Sequence, residues 1–162
     1  LRPTKPLEGV RFILPYGGED YPEQLMDIPD PPKKLYGIGN PQVLTCGLSV
    51  IGARKATPYG RDVAFKFAKI ASEHGLAIIS GGALGCDSAA HRGCLEGGSP
   101  TVVVLGGGCD CIYPESNRDL FQEIIDKAVP LSLSTNGSFR LCPTPSARAI
   151  ASSLVFRVQR SL

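Results

Sequence analysis

Three short apolar runs constrain this chain more than anything else in it. Leu48 to Ile51 leads into Gly52, Leu76 to Ile79 into Gly81-Gly82, and Thr101 to Leu105 into Gly106-Gly107-Gly108, with the starts of the runs 28 and 25 residues apart. The segments between them carry helical signals. Thr57 offers an N-cap, and Pro58 fits a first helical turn, where its missing donor costs nothing. Val63, Ala64, Phe67, Ala68 and Ala71 follow at helical spacing, and Gly75 stops the pattern. A second helix is expected from Asp87, acting as its cap, to Gly97-Gly98, and Leu120, Phe121, Ile124 and Ile125 mark a third. Strand, helix, strand at this spacing suits right-handed crossovers between parallel neighbours. The fold class that follows is α/β: an open, doubly wound parallel sheet with helices on both faces, in three αβα layers.

In such a sheet the loops after the carboxyl ends of the strands gather at one rim, which is where ligands bind. All three glycine turns belong there. Glycines at 81, 82 and 85 allow positive φ and a close approach of backbone to ligand, and unpaired amides in such turns form an anion site. The candidate site residues are Gly52, Arg54, Lys55, Arg61, Ser80, Gly81, Gly82, Gly106 and Gly107. Arg54 is the sharpest, because a guanidinium grips phosphate in a planar bidentate fork. Against these stand plainer readings: a glycine turn as a tight connection only, Lys55 and Arg61 as a solvated face, and Arg54 paired with Asp87 or Asp110.

Composition narrows the function classes. No run of about 18 apolar residues exists, and Leu-Arg-Pro-Thr-Lys-Pro at the start has no apolar signal core, so a cytoplasmic protein without membrane contact is expected. The six cysteines, at 46, 86, 94, 109, 111 and 142, then read as reduced thiols. Cys86, His91, Cys94, Cys109 and Cys111 match no standard zinc spacing, and small cysteines suit close helix-to-sheet packing, so neither metal nor cofactor is expected. The formal charge of +2 hides an asymmetry: residues 1 to 127 hold all fifteen acids and thirteen Lys and Arg, and residues 128 to 162 hold four Arg and no acid. Any nucleic-acid site must be local.

Residues 1 to 44 are rich in proline and predict one short helix near Tyr21 to Met26 and an edge strand at Leu35 to Ile38. Together with Gly52-Ala53-Arg54-Lys55-Ala56-Thr57-Pro58-Tyr59-Gly60, Ser80-Gly81-Gly82-Ala83-Leu84-Gly85-Cys86-Asp87, Ala90-His91, Val104 to Gly108 and Tyr113-Pro114, the chain resembles the DNA processing protein A family, also called DprA or Smf, over residues 16 to 129. The resemblance implies a Rossmann-like domain that binds single-stranded DNA, dimerises, and helps load the RecA recombinase in natural transformation. It puts Arg54 in the place of a DNA-binding arginine, with the Ser80 to Gly82 turn beside the same pocket. The family often has Lys or Arg where this chain has Leu84, and a domain often found before this fold is missing, so Leu1 is not expected to be the native start. The domain division is a lead-in at 1–44, a Rossmann-like DNA-binding core at 45–129 and a tail at 130–162. With stacking aromatics limited to Tyr59 and Tyr113, backbone clamping is expected over base reading.

The rival class is a hydrolase. A glycine rim also suits a nucleotide or ribose phosphate, as in the related lysine-decarboxylase-like phosphoribohydrolases. Their Gly-Gly-x-Gly-Thr-x-x-Glu element is replaced here by Gly107-Gly108-Cys109-Asp110. Ser80, Asp87 and His91 could form a triad on paper, but Ser80 lacks the Gly-x-Ser-x-Gly elbow that exposes a nucleophile, and no enzyme is expected. The tail poses a different question: it has no acid, seven serines and no clean period up to Ala149. Back-translation in a shifted frame permits Leu-Ser-Glu-Tyr at Leu131 to Thr135 and Arg-Asn-Arg-Ile-Ile-Ala beyond Ala147, both similar to family stretches in that order. A frameshift near Pro130, with a poorly packed tail and a homodimer lost or weakened, is therefore expected. Reading the coding DNA checks it: the alternative frame should encode both stretches, and their absence refutes the shift.

Overall fold

The computed structural model describes residues 5–44, 47–110, 112–127 and 131–134. Three parallel strands, β3 (Gly47–Ser49), β4 (Ala77–Ser80) and β5 (Thr101–Val103), lie in the order β3-β4-β5, with Leu48 opposite Ile78 and Ile79 opposite Val102. Helix α1 (Pro58–Glu73) crosses from β3 to β4 and α2 (Cys86–Gly97) from β4 to β5. The N-cap is as expected: Thr57 Oγ1 accepts from Gly60 N at 3.1 Å with Pro58 in the first turn. Gly75 at φ +79° and Gly98 at φ +88° end the two helices. Helix α3 (Arg118–Asp126) follows β5 and buries Leu120, Phe121, Ile124 and Ile125.

Alternation along the strands divides the core. Ile78 packs with Ala68, Ala71, Ala90 and Cys94 beneath α1 and α2. Val103 packs with Leu95 of α2 and with Phe121 and Ile124 of α3. The opposite face, carrying Ile79, Val102 and Val104, is covered by Leu14, Tyr21, Leu25 and Leu35. Parallel sheet and flanking helices give the expected α/β, Rossmann-like architecture, while among the described residues the second face is covered by the N-terminal segment and not by a helix.

That segment differs from expectation. Strand β1 (Arg11–Pro15), which showed no signal, pairs antiparallel with β2 (Lys34–Ile38), which also pairs antiparallel with β6 (Leu131–Ser134). The piece at Leu35 to Ile38 is thus the middle strand of a separate antiparallel sheet, not an edge. The helix near Tyr21 to Met26 is a single 3-10 turn, Glu23–Leu25. Gly37 is open to β1 for a physical reason: the Phe12 ring lies where its Cβ would stand. Strand β6 lies in the tail that is expected to be poorly packed, and backbone pairing, with an irregular register between Tyr36 and Ile38, defines it where no apolar period does. Residues 135–162 lie outside the described residues.

Helix α1 turns its small side chains inward. Ala64, Ala68 and Ala71 are buried, whereas Val63 and Phe67, expected on the same stripe, are 44% and 57% exposed. The seam with α2 explains this: Cβ atoms added at Gly93 and Gly97 would overlap the Phe65 carbonyl oxygen and the Ser72 side chain. Gly93→Ala gains about 1 kcal/mol in helix propensity but forces two backbones apart, an overpacking cost of about 3 kcal/mol. The net loss of about 2 kcal/mol should appear in denaturant unfolding, and an unchanged or raised midpoint would show that the seam is not tight.

Candidate phosphate-binding rim

The loops after β3 and β4 meet as the topology requires, but several amides there are already occupied. Asp87, on the first turn of α2, is 4% exposed. It does not cap its helix; the N-cap position is Gly85, without a side-chain bond. Instead Asp87 Oδ1 accepts from Gly52 N, on the loop after β3, at 3.3 Å, and Oδ2 from Ala83 N, on the loop after β4, at 3.4 Å. Burial pushes the Asp87 carboxyl above its ordinary range, while the amides of Gly52, Ala83 and Gly81 pull it back. Further rim amides face carbonyls: Cys86 N donates to Ala53 O and Ser88 N to Ala83 O.

Glycine is needed here for packing more than for a ligand. Gly85, at φ +86°, has the carbonyls of Ala53 and Arg54 where a Cβ would go. Gly82, at φ +69°, lies against Val103 and Phe121, and its carbonyl accepts from Asn117 Nδ2 at 2.8 Å. A Cβ on Gly81 would stand 3.0 Å from Asp87 Oδ2, so its bareness makes room for the carboxylate. Gly52 makes similar room for Cys86. Gly106 and Gly107 are half-buried at the end of the third run.

The basic side chains are displayed differently. Arg54, Lys55 and Arg61 are exposed, and among the described residues none of them forms an ion pair. Arg61 Nη1 donates to Ala56 O at 3.1 Å, which folds its guanidinium back onto the loop. The two pairings considered for Arg54 are both taken: Asp87 by backbone amides, and Asp110 by Arg11 at 2.7 Å. Tyr59 and Tyr113 are 79% and 68% exposed.

The paper triad does not assemble: the Ser80 side chain adjoins Asp87, but His91 does not join them. Ser80 Oγ donates to Val50 O at 2.6 Å, inside the sheet. His91 Nδ1 lies 2.7 Å from Thr101 Oγ1, whose own proton goes to Ile78 O at 2.9 Å, so Nδ1 carries the hydrogen and Nε2 is a buried acceptor without a partner among the described residues. Cys94 Sγ donates to the carbonyls of Ser99 and Pro100. No group of three or more His, Cys, Asp or Glu among the described residues could hold a metal ion.

With these geometries in hand, the relatives are informative. The sequence matches the family described as DNA recombination-mediator protein A over residues 12–140. The match passes Pro130 by ten residues, so the family resemblance does not stop there. Protein Smf of Synechocystis is 38% identical over 133 residues, which are 79% of this chain and 33% of that protein. The X-ray structure of DNA processing protein A from Streptococcus pneumoniae superposes with a TM-score of 0.78 at 31% identity, over 88% of this chain and 51% of that one. A Helicobacter pylori structure, described as showing the unique single-stranded DNA binding mode of its DNA processing protein A, gives 0.73 at 29% identity, over 91% of this chain and 66% of that one. This chain therefore spans about a third of the Synechocystis relative and about half of the Streptococcus chain.

Burial lowers His91 from 6.5 to about 3. A depressed histidine contributes stability above its unfolded value and loses it as pH falls through that window, here from 6.5 toward about 3, with a limiting slope of about 1.4 kcal/mol per pH unit. Asp87 acts oppositely, since its raised carboxyl contributes most at low pH. The difference between the parent and His91→Gln isolates the histidine: denaturant midpoints across the window should converge as pH falls. Parallel curves would place His91 in a solvated site.

Proposed function

The chain belongs to the DNA recombination-mediator protein A family, and on that footing we propose that it binds single-stranded DNA through backbone phosphates at the carboxyl rim of its parallel sheet. The observation that carries this reading is the display of Arg54 and Lys55, exposed and without ion pairs among the described residues, on the loop after β3. Guanidinium and ammonium groups held out from a rim meet phosphates without reading bases, and the sparse aromatics suit that mode. In this reading Gly52, Ser80, Gly81, Gly82, Gly106 and Gly107 shape the rim, Arg61 adds charge beside it, and no cofactor or metal takes part.

The same reading includes DNA processing during uptake and natural transformation in the cytoplasm, help in loading the RecA recombinase, and a homodimer. Its support is family membership. Among the described residues no helix is long and apolar enough to cross a membrane. We read a binding protein and not an enzyme, and the hydrolase alternative gains nothing from Ser80, Asp87 and His91: Ser80 adjoins Asp87, but His91 is turned to Thr101. Residues 45–129 form the DNA-binding core, with the proline-rich 1–44 bracing its second face. We place the frame change of the tail near Pro130, the position that the two alternative-frame stretches require.

Fluorescence anisotropy with a single-stranded oligonucleotide tests the proposal. Arg54→Ala should weaken binding about five- to tenfold, alike for all sequences, since one charge-assisted contact is lost. It should also make the dependence of log affinity on log salt shallower by about 0.7, one phosphate contact on a single strand. An unchanged slope would remove Arg54 from the interface.

A further inference from the structure

A glycine-rich rim at the carboxyl ends of parallel strands offers amides to an anion, yet here an anion of the protein's own is already seated. The Asp87 carboxylate is buried between two loops and accepts from Gly52 N and Ala83 N, and Gly81 turns its amide the same way. The nearby amides of Cys86 and Ser88 are spent on the carbonyls of Ala53 and Ala83. A phosphate entering this seat would find few free donors and would stand beside a buried negative charge. The same two bonds tie the loop after β4 to the loop after β3, which carries Arg54 and Lys55.

We propose that Asp87 is the rim's built-in anion and a positioning residue: it holds the seat a phosphate would take, and by holding it fixes the Gly52 to Lys55 loop so that Arg54 and Lys55 meet phosphates from outside. The second half rests on the single-stranded DNA reading. The consequence is a specificity. Inorganic phosphate and the terminal phosphate of a mononucleotide, which need a ring of amides around a doubly charged group, are refused; the phosphodiester backbone of a polymer, met by side chains, is accepted.

The test uses the full chain, its Asp87→Ala and Asp87→Asn variants, and amide signals in two-dimensional NMR. In the parent, inorganic phosphate should leave Gly52, Gly81 and Ala83 unmoved. In Asp87→Ala it should shift all three, with affinity raised about tenfold, and hydrogen exchange at Gly52 and Ala83 should quicken about tenfold. Asp87→Asn keeps the shape and one acceptor oxygen, so it should rescue part of that protection and guards against a misfolded alanine variant. Oligonucleotide affinity should fall about fivefold in Asp87→Ala with an unchanged salt slope, because Arg54 and Lys55 still bind from a looser loop. Phosphate shifts at the three amides in the parent, or exchange at Gly52 and Ala83 indifferent to both substitutions, would overturn the proposal and leave the DNA reading standing. If the parent fails to bind oligonucleotide while the phosphate and exchange results hold, the DNA reading falls and Asp87 keeps its seat.

Discussion

Helix α2 can bring its first turn against the β3 loop only because three of its contact points carry no side chain. Gly93 and Gly97 lie on the backbone and on Ser72 of α1, and Gly85 lies on the carbonyls of Ala53 and Arg54. The far end of this seam is locked by hydrogen bonds: Ser72 Oγ donates to Cys94 O, Ser99 N donates to Ser72 Oγ, and Ser99 Oγ donates to Ser72 O. With that end fixed to the turn entering β5, the near end of α2 has one place to be. Asp87 then lies within reach of Gly52, 35 residues earlier in the chain. The rim is thus a product of close helix packing as much as of strand topology, and widening the seam would part the loops that the carboxylate joins.

What was legible in the sequence was local. The glycine after each apolar run, the Thr57-Pro58 start and the stops at Gly75 and Gly98 all express backbone preferences that a few neighbouring residues decide. What was hidden depends on distant partners. Strand β1 is five residues ending in Pro15, with only Phe12 and Leu14 turned inward, and its identity comes from pairing with β2. Asp87 at the start of a helix has the local look of a cap, because nothing near it in sequence shows that Gly52 will be its partner. The large side chains of α1 misled for a related reason: periodicity marks an apolar flank, but only the alanines fit against sheet and helix, so Val63 and Phe67 were left outside.

The display of Arg54 comes from the same arrangement by subtraction. A guanidinium on a loop normally finds a carboxylate, and Asp87 and Asp110 are the two candidates. Asp110 is held by Arg11, in a pair that also joins the N-terminal ribbon to the loop after β5. Asp87 is enclosed by amides and turned inward. Each acid is committed by the fold to a structural partner, and the cation is what the fold leaves over. Residues 1 to 127 hold more acids than bases, yet ionic screening over about 8 Å at physiological salt confines most of that excess to its own neighbourhood. The rim's electrostatic character is therefore set by which few groups are spoken for, and not by the sum over the chain; the buried carboxylate contributes shape to the rim, while the exposed guanidinium and ammonium contribute its sign.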